Sequence, residues 1–180
     1  ARGEPAARAA LEADVPGRGG QPGPGIGDMQ RVRPGLFISG GAAATLRNLE
    51  RVGVTALLRL GASFAAPAFA LPEGYLQHVV KIGDSPEEQQ VLAEHLDACV
   101  SFVSDALAEG RGVLVHCGAG VSRSGAALCA YLMTAERLRY EEAVAEARKA
   151  REWVRPNDGF AAQLRLFEAR LEADGHYKHP

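Results

Sequence analysis

The stretch VLVHCGAGVSRSG (113–125) concentrates the residues of this chain best suited to chemistry. A four-residue apolar run ends on His116 and Cys117, and Gly118, Ala119, Gly120, Val121 and Ser122 follow before Arg123. Buried cysteines usually lie inside apolar segments as small hydrophobes; Cys117 stands where its segment stops. Two glycines in five residues relieve the steric limits on a tight curl. A loop curled this way at the start of a helix turns successive N–H groups inward and makes an anion site. Arg123, six positions after Cys117, closes such a ring with a planar fork that grips two oxygens of one phosphate. The same positive field favours the thiolate, which is the nucleophilic form. Cysteine, amide cradle and arginine together describe covalent transfer of a phosphoryl group to sulfur.

The elements that must position these groups follow from the apolar pattern. LFIS (36–39), VTALLRL (54–60), LQHVVKI (76–82) and VLVH (113–116) read as strands, the last fully apolar as in the centre of a parallel sheet. TLRNLERVG (45–53) reads as a helix stopped by Gly53. A loop with Pro67 and Pro72 follows the second strand. Pro86 and Glu87 open a long helix in which Val91, Leu92, Leu96, Cys99, Val100, Val103 and Leu107 recur at helical spacing until Gly110 ends it. SGAALCAYLM (124–133), EEAVAEARKAR (141–151) and DGFAAQLRLFEARLEA (158–173) are three further helices. Strands alternating with helices predict an α/β fold, a central mostly parallel sheet with helices on both faces. Ligands of such sheets bind beyond the carboxyl ends of the strands, and Cys117 stands there.

Composition sets the outer bounds. The 180 residues are 47% hydrophobic and 23% charged, with a net charge of −2 and no block of like charge. That argues for one globular domain and against a nucleic-acid or membrane-surface partner. No apolar run approaches the ~18 residues of a membrane span. Residues 1–30, rich in Ala, Gly, Pro and Arg, hold too little apolar surface to offset ordering entropy and read as a disordered tail. The folded domain is expected at 31–174, with a short C-terminal tail at 175–180. Cys99, Cys117 and Cys129 have neither disulfide-framework nor zinc spacing, which fits a reducing, intracellular setting, cytoplasmic or nuclear. Cys99 and Cys129 lie on apolar helix faces and read as core, as does Trp153. No metal site and no cofactor motif is visible.

HCGAGVSRS (116–124) resembles the signature of the cysteine-dependent protein tyrosine phosphatases: His-Cys, five residues, then Arg and a hydroxyl residue. With AYLM (130–133), PNDGF plus Gln163 and Leu164, and GLFISGGAAATLRNLERVGVTALLRL upstream, the chain is similar to the dual-specificity subfamily over roughly residues 32–172. The resemblance implies that Cys117 attacks phosphorus and forms a phosphocysteine. It implies that Arg123 and the N–H groups of 118–123 bind the equatorial oxygens, and that Ser124 eases departure of the thiolate. An aspartate on a loop about thirty residues before the cysteine is then the general acid, and Asp84 fits. Asp97 and Asp105 lie within a helix, and Glu87 caps its first turn. Asp84 also suits a plain turn ahead of a helix. The family reading of His116 is structural, behind the loop. Asn157 braces the phosphate loop, caps the last helix, or does both.

The expected substrate is a phosphorylated protein, on tyrosine and on serine or threonine. The loop interior 118–122 lacks the extra basic residues of family members that act on phosphoinositides, and no counterpart exists of the tyrosine-bearing recognition loop of tyrosine-specific members. The length matches the small, atypical members. Gly125 departs from the alanine usual in the subfamily and leans toward other phosphatases, lipid ones among them. Two further readings are a phosphate-binding pseudophosphatase module and a phosphatase for a lipid or an RNA 5′ end.

Overall fold

A computed structural model describes residues 28–61 and 69–177. Nearly all of the expected N-terminal tail, part of the loop around Pro67, and residues 178–180 lie outside these. Five strands form one sheet: β1 (Gln30–Arg33), β2 (Leu36–Gly40), β3 (Val54–Leu60), β4 (Leu76–Val80) and β5 (Gly112–Cys117). Their order is β1-β2-β5-β3-β4, with only the β1–β2 pair antiparallel. The helices are α1 (Leu46–Val52), α2 (Gln89–Ala108), α3 (Arg123–Ala135), α4 (Tyr140–Ala150) and α5 (Asp158–Ala173). This is the expected mostly parallel sheet between helical layers.

β5 lies at the centre, in register with β2 on one side and β3 on the other, and all six of its residues are buried. Strand alternation sends Val113, Val115 and Cys117 to the face covered by α2–α5, together with Ile38, Leu58 and Leu60. Leu114, Phe37 and Leu57 pack on the opposite face with Leu49 and Val52 of α1. Helix α3, which runs straight on from the loop after β5, is buried through Ser124, Gly125, Ala126, Ala127, Leu128, Cys129 and Ala130. Small residues let it lie against the sheet while other helices cover it. A Cβ at Gly125 would meet Val154 Cγ1 at 3.0 Å, so glycine here serves close helix packing.

Three details differ from the sequence expectation. Strand β1 (QRVR) is additional: it has one apolar residue and sits at the sheet edge, where polar side chains hide strand periodicity. The expected helix from Pro86 begins as a 3-10 turn over Pro86–Glu88 before α2 starts at Gln89. Strand β4 ends at Val80, two residues before the apolar run does. Past Val80 the backbone pairing continues for one more step, Gly61 N–H donating to Val80 O (3.0 Å) and Ile82 N–H to Gly61 O (3.3 Å), while the Ile82 carbonyl accepts from Arg123 Nη1 (3.3 Å).

Candidate active site

The loop from Gly118 to Ser122 connects the end of β5 to the start of α3, so β5, loop and helix hold Cys117, Arg123 and Ser124 as one unit. Cys117 is fully buried at the floor of this loop, while Gly118 and Ala119 are exposed at its rim. The sulfur lies 3.2 Å from Ser124 Oγ and accepts a hydrogen bond from Gly120 N–H at 3.2 Å. Gly120 has φ +70°, and a Cβ there would come within 2.5 Å of the backbone of Ser39 and Gly40. Only glycine satisfies both conditions.

The loop carbonyls face away from the sulfur. Gly118 O accepts from Gly41 N–H (2.9 Å) and Val121 O from Arg155 N–H (3.0 Å). Ala119 O and Gly120 O accept from the guanidinium of Arg151. A trans peptide places each carbonyl opposite the N–H of the next residue. Outward carbonyls at 118–121 therefore turn the N–H groups of 119–122 the other way, and that of Gly120 reaches the Cys117 sulfur.

Arg123 and Asp84 meet at its mouth. The Asp84 carboxylate lies 3.7 Å from Arg123 Nε and is 35% exposed, so it reaches solvent. Asn157 makes three hydrogen bonds that tie the loop, the acidic residue and the last helix together. Its Oδ1 accepts from Phe160 N–H (3.0 Å) and caps α5, its N–H donates to Ser122 Oγ (3.0 Å), and its Nδ2 donates to Asp84 Oδ1 (3.2 Å). The turn that follows Asp84 rests on α5, because a Cβ at Gly159 would stand 2.4 Å from Pro86 O.

His116 is buried on the opposite face of β5 from Cys117, beside Arg59 in the β3–β5 register. Burial drives its imidazole down to about 4; the Arg59 guanidinium adds to this, and a hydrogen bond with the Cys117 backbone opposes it. His116 is thus neutral near pH 7. Burial also pushes the thiols of Cys99 and Cys129 up to about 12. Among the described residues no three His, Cys, Asp or Glu gather as metal ligands, and no helix is long and apolar enough to cross a membrane.

The sequence reading missed Arg151 and Gln30, both buried, and the close contact of Gly159 with Pro86. Arg151 is the last residue of the segment read as helix 141–151, where an arginine looks like a solvated end. Its only sequence cue is the next aromatic: the half-buried Trp153 ring lies 5.4 Å from the guanidinium carbon.

A central parallel strand that ends in cysteine below a ring of amides, closed by an arginine at the next helix, defines the protein tyrosine phosphatase class of fold. The dual specificity phosphatase catalytic domain matches residues 36–170. The chain belongs to that family. It is 42% identical over 149 residues to mouse (Mus musculus) dual specificity protein phosphatase 12, covering 82% of this chain and 43% of that protein. It therefore spans less than half the length of that relative. Human DUSP28 superposes with a TM-score of 0.73 at 31% identity, covering 84% of this chain and 99% of that one. A mouse dual specificity phosphatase complexed with zinc tungstate gives 0.75 at 31%, covering 88% and 96%.

Proposed function

We propose that this chain hydrolyses phosphate monoesters of protein side chains, phosphotyrosine and phosphoserine/threonine alike, through a phosphocysteine. The observation that carries the reading is the Cys117 sulfur within 3.2 Å of both Ser124 Oγ and Gly120 N–H, under a loop whose amides converge on it. In the first step the Cys117 thiolate attacks phosphorus, the S–P bond forms and the P–O bond to the substrate breaks. Asp84 gives its proton to the leaving oxygen. Arg123 and the loop N–H groups meet the charge on the equatorial oxygens, the electrostatic part of the catalysis. In the second step water attacks phosphorus, the Asp84 carboxylate takes its proton and the S–P bond breaks. Ser124 donates a hydrogen bond to the thiolate that departs, and inorganic phosphate leaves.

Protein as the substrate class is supported by the uncharged loop interior, Gly118-Ala119-Gly120-Val121-Ser122, and by the dual-specificity names of the relatives. The tungstate held by the mouse structure is an oxyanion of phosphate-like shape, which suits the same cradle. The test compares wild type with Cys117→Ser on p-nitrophenyl phosphate, a phosphopeptide, a phosphoinositide and a 5′-triphosphate RNA. Turnover of the phosphopeptide above the other natural esters, abolished by Cys117→Ser, is the expected result. Phosphate binding without turnover would make the chain a binding module, and preference for lipid or RNA would move it to another substrate class.

A further inference from the structure

Arg151 is the largest fully buried side chain of the described residues, 1% exposed, and it stands outside the residues assigned above to binding and chemistry. A guanidinium loses strong hydration when buried, and burial lowers its pKa here. It is held by what surrounds it. Its backbone N–H closes the end of α4 on Ala147 O (3.0 Å), where the helix dipole favours a cation. One edge of its fork donates to the phosphate loop: Nε to Gly120 O at 2.7 Å and Nη2 to Ala119 O at 2.8 Å. From the remaining corner Nη1 donates to Asp28 O at 3.2 Å and to Gln30 Oε1. Gln30 is itself only 5% exposed, on an edge strand where a glutamine would ordinarily be solvated. The buried fork thus joins the start of β1 to two successive carbonyls of the loop.

Those two carbonyls set the direction of two donors. With Ala119 O and Gly120 O turned out to the fork, the N–H groups of Gly120 and Val121 turn in, and the first of these already reaches Cys117 Sγ at 3.2 Å. Without an outside partner, either peptide unit gains by flipping a bare carbonyl toward water, which would point an oxygen at an incoming phosphate. We infer that Arg151 is a positioning residue for the reaction proposed above, and that Gln30 and the Asp28 carbonyl orient its fork, which couples the start of β1 to the catalytic loop. Lysine cannot replace it, because a single ammonium does not present two parallel N–H groups to adjacent carbonyls.

The test uses the full chain with Arg151→Met, Arg151→Lys, Arg151→Ala and Gln30→Met, beside Asp84→Asn and Cys117→Ser. For each, kcat, KM, the dissociation constant of inorganic phosphate by calorimetry and the melting temperature are measured. Loss of one preorganised donor costs about 10²–10³ in rate, and Arg151→Met is expected to fall in that range. Its affinity for phosphate should weaken at least about tenfold, because the same N–H groups bind the anion. Arg151→Lys should resemble Arg151→Met, and Gln30→Met should lie between it and wild type. Millimolar guanidinium should restore part of the activity and of the phosphate affinity to Arg151→Ala, while leaving wild type and Cys117→Ser unchanged. Asp84→Asn should slow turnover yet keep phosphate affinity. If Arg151→Met stays folded with rate and phosphate affinity within threefold of wild type, the inference is wrong. It is equally wrong if activity falls only in proportion to unfolding and guanidinium restores nothing. The phosphate arm needs no turnover, so an inactive wild type would overturn the proposed function while leaving the positioning role of Arg151 measurable.

Discussion

Replacing Gly159 by alanine places a methyl group where the backbone of Pro86 stands. The added Cβ would lie 2.4 Å from Pro86 O, 2.6 Å from its Cα and 2.9 Å from its carbonyl carbon. None of these is the end of a flexible side chain, so either α5 or the turn over Pro86–Glu88 must shift by about 1 Å to restore ordinary contact. Overpacking of this kind costs about 1–3 kcal/mol. Alanine in the first turn of α5 recovers part of the ~1 kcal/mol propensity difference from glycine. A net loss of about 1–2 kcal/mol corresponds to a melting point lower by roughly 2–8 °C for a domain of this size. The larger consequence is local, because Asp84 precedes Pro86 by two residues and is bonded to Asn157 at the head of the same helix. A misplacement of ~1 Å can cost about 10²-fold in rate. The loss should depend on the leaving group, since nitrophenolate departs with little help and the oxygen of a phosphopeptide does not. Gly159→Ala is expected to lower kcat on a phosphopeptide about 10–100-fold and on p-nitrophenyl phosphate no more than about threefold, with phosphate inhibition unchanged. Equal losses on both substrates, or none on the peptide, would refute the placement of Asp84 as the acid that this contact holds.

Other outcomes follow from the same geometry. Ser124→Ala should slow the second step more than the first, seen as a stopped-flow burst of nitrophenolate before a lower steady rate; loss without a burst would contradict the role. His116 binds a proton in the unfolded chain below about 6.5 and in the folded one only near 4, so stability falls as pH drops through that window. Urea unfolding at pH 7 and pH 5 should show a loss of about 2 kcal/mol from this group, and His116→Asn should flatten it. A thiol pushed up to about 12, as for Cys99 and Cys129, holds about one thiolate in 10⁵ at pH 7. Iodoacetate followed by mass mapping should therefore find Cys117 modified first, with inorganic phosphate protecting it. Early labelling of Cys129 would count against the account.

Much of the site is legible in the sequence because it is local. Cys117, the loop, Arg123 and Ser124 occupy eight consecutive positions, so a strand ending, two glycines and a helix start suffice to bring them together. Asp84 is distant, yet an apolar strand before it and Pro86 after it fix the end of the sheet at which its loop emerges. Asn157 announces itself by cap spacing, and the family resemblance points it at the phosphate loop, but neither shows its reach to Asp84. Contacts made by the third dimension leave no such trace. Gly125 stands out in the sequence only as a departure from alanine, and Gly159 not at all; the reason for each is a distant neighbour, Val154 Cγ1 at 3.0 Å from the missing Cβ of Gly125 and the Pro86 backbone beside that of Gly159. Arg151 and Gln30 follow the same logic: polar residues at a helix end and on an edge strand are ordinarily solvated, and only the fold buries them against each other.

The most direct test of the central claim is to trap the intermediate. Wild type mixed with a ³²P-labelled phosphopeptide and quenched with acid within milliseconds should carry label, and peptide mapping should place it on Cys117. Cys117→Ser should carry none. Turnover without a labelled protein, or label on any other residue, would contradict the account.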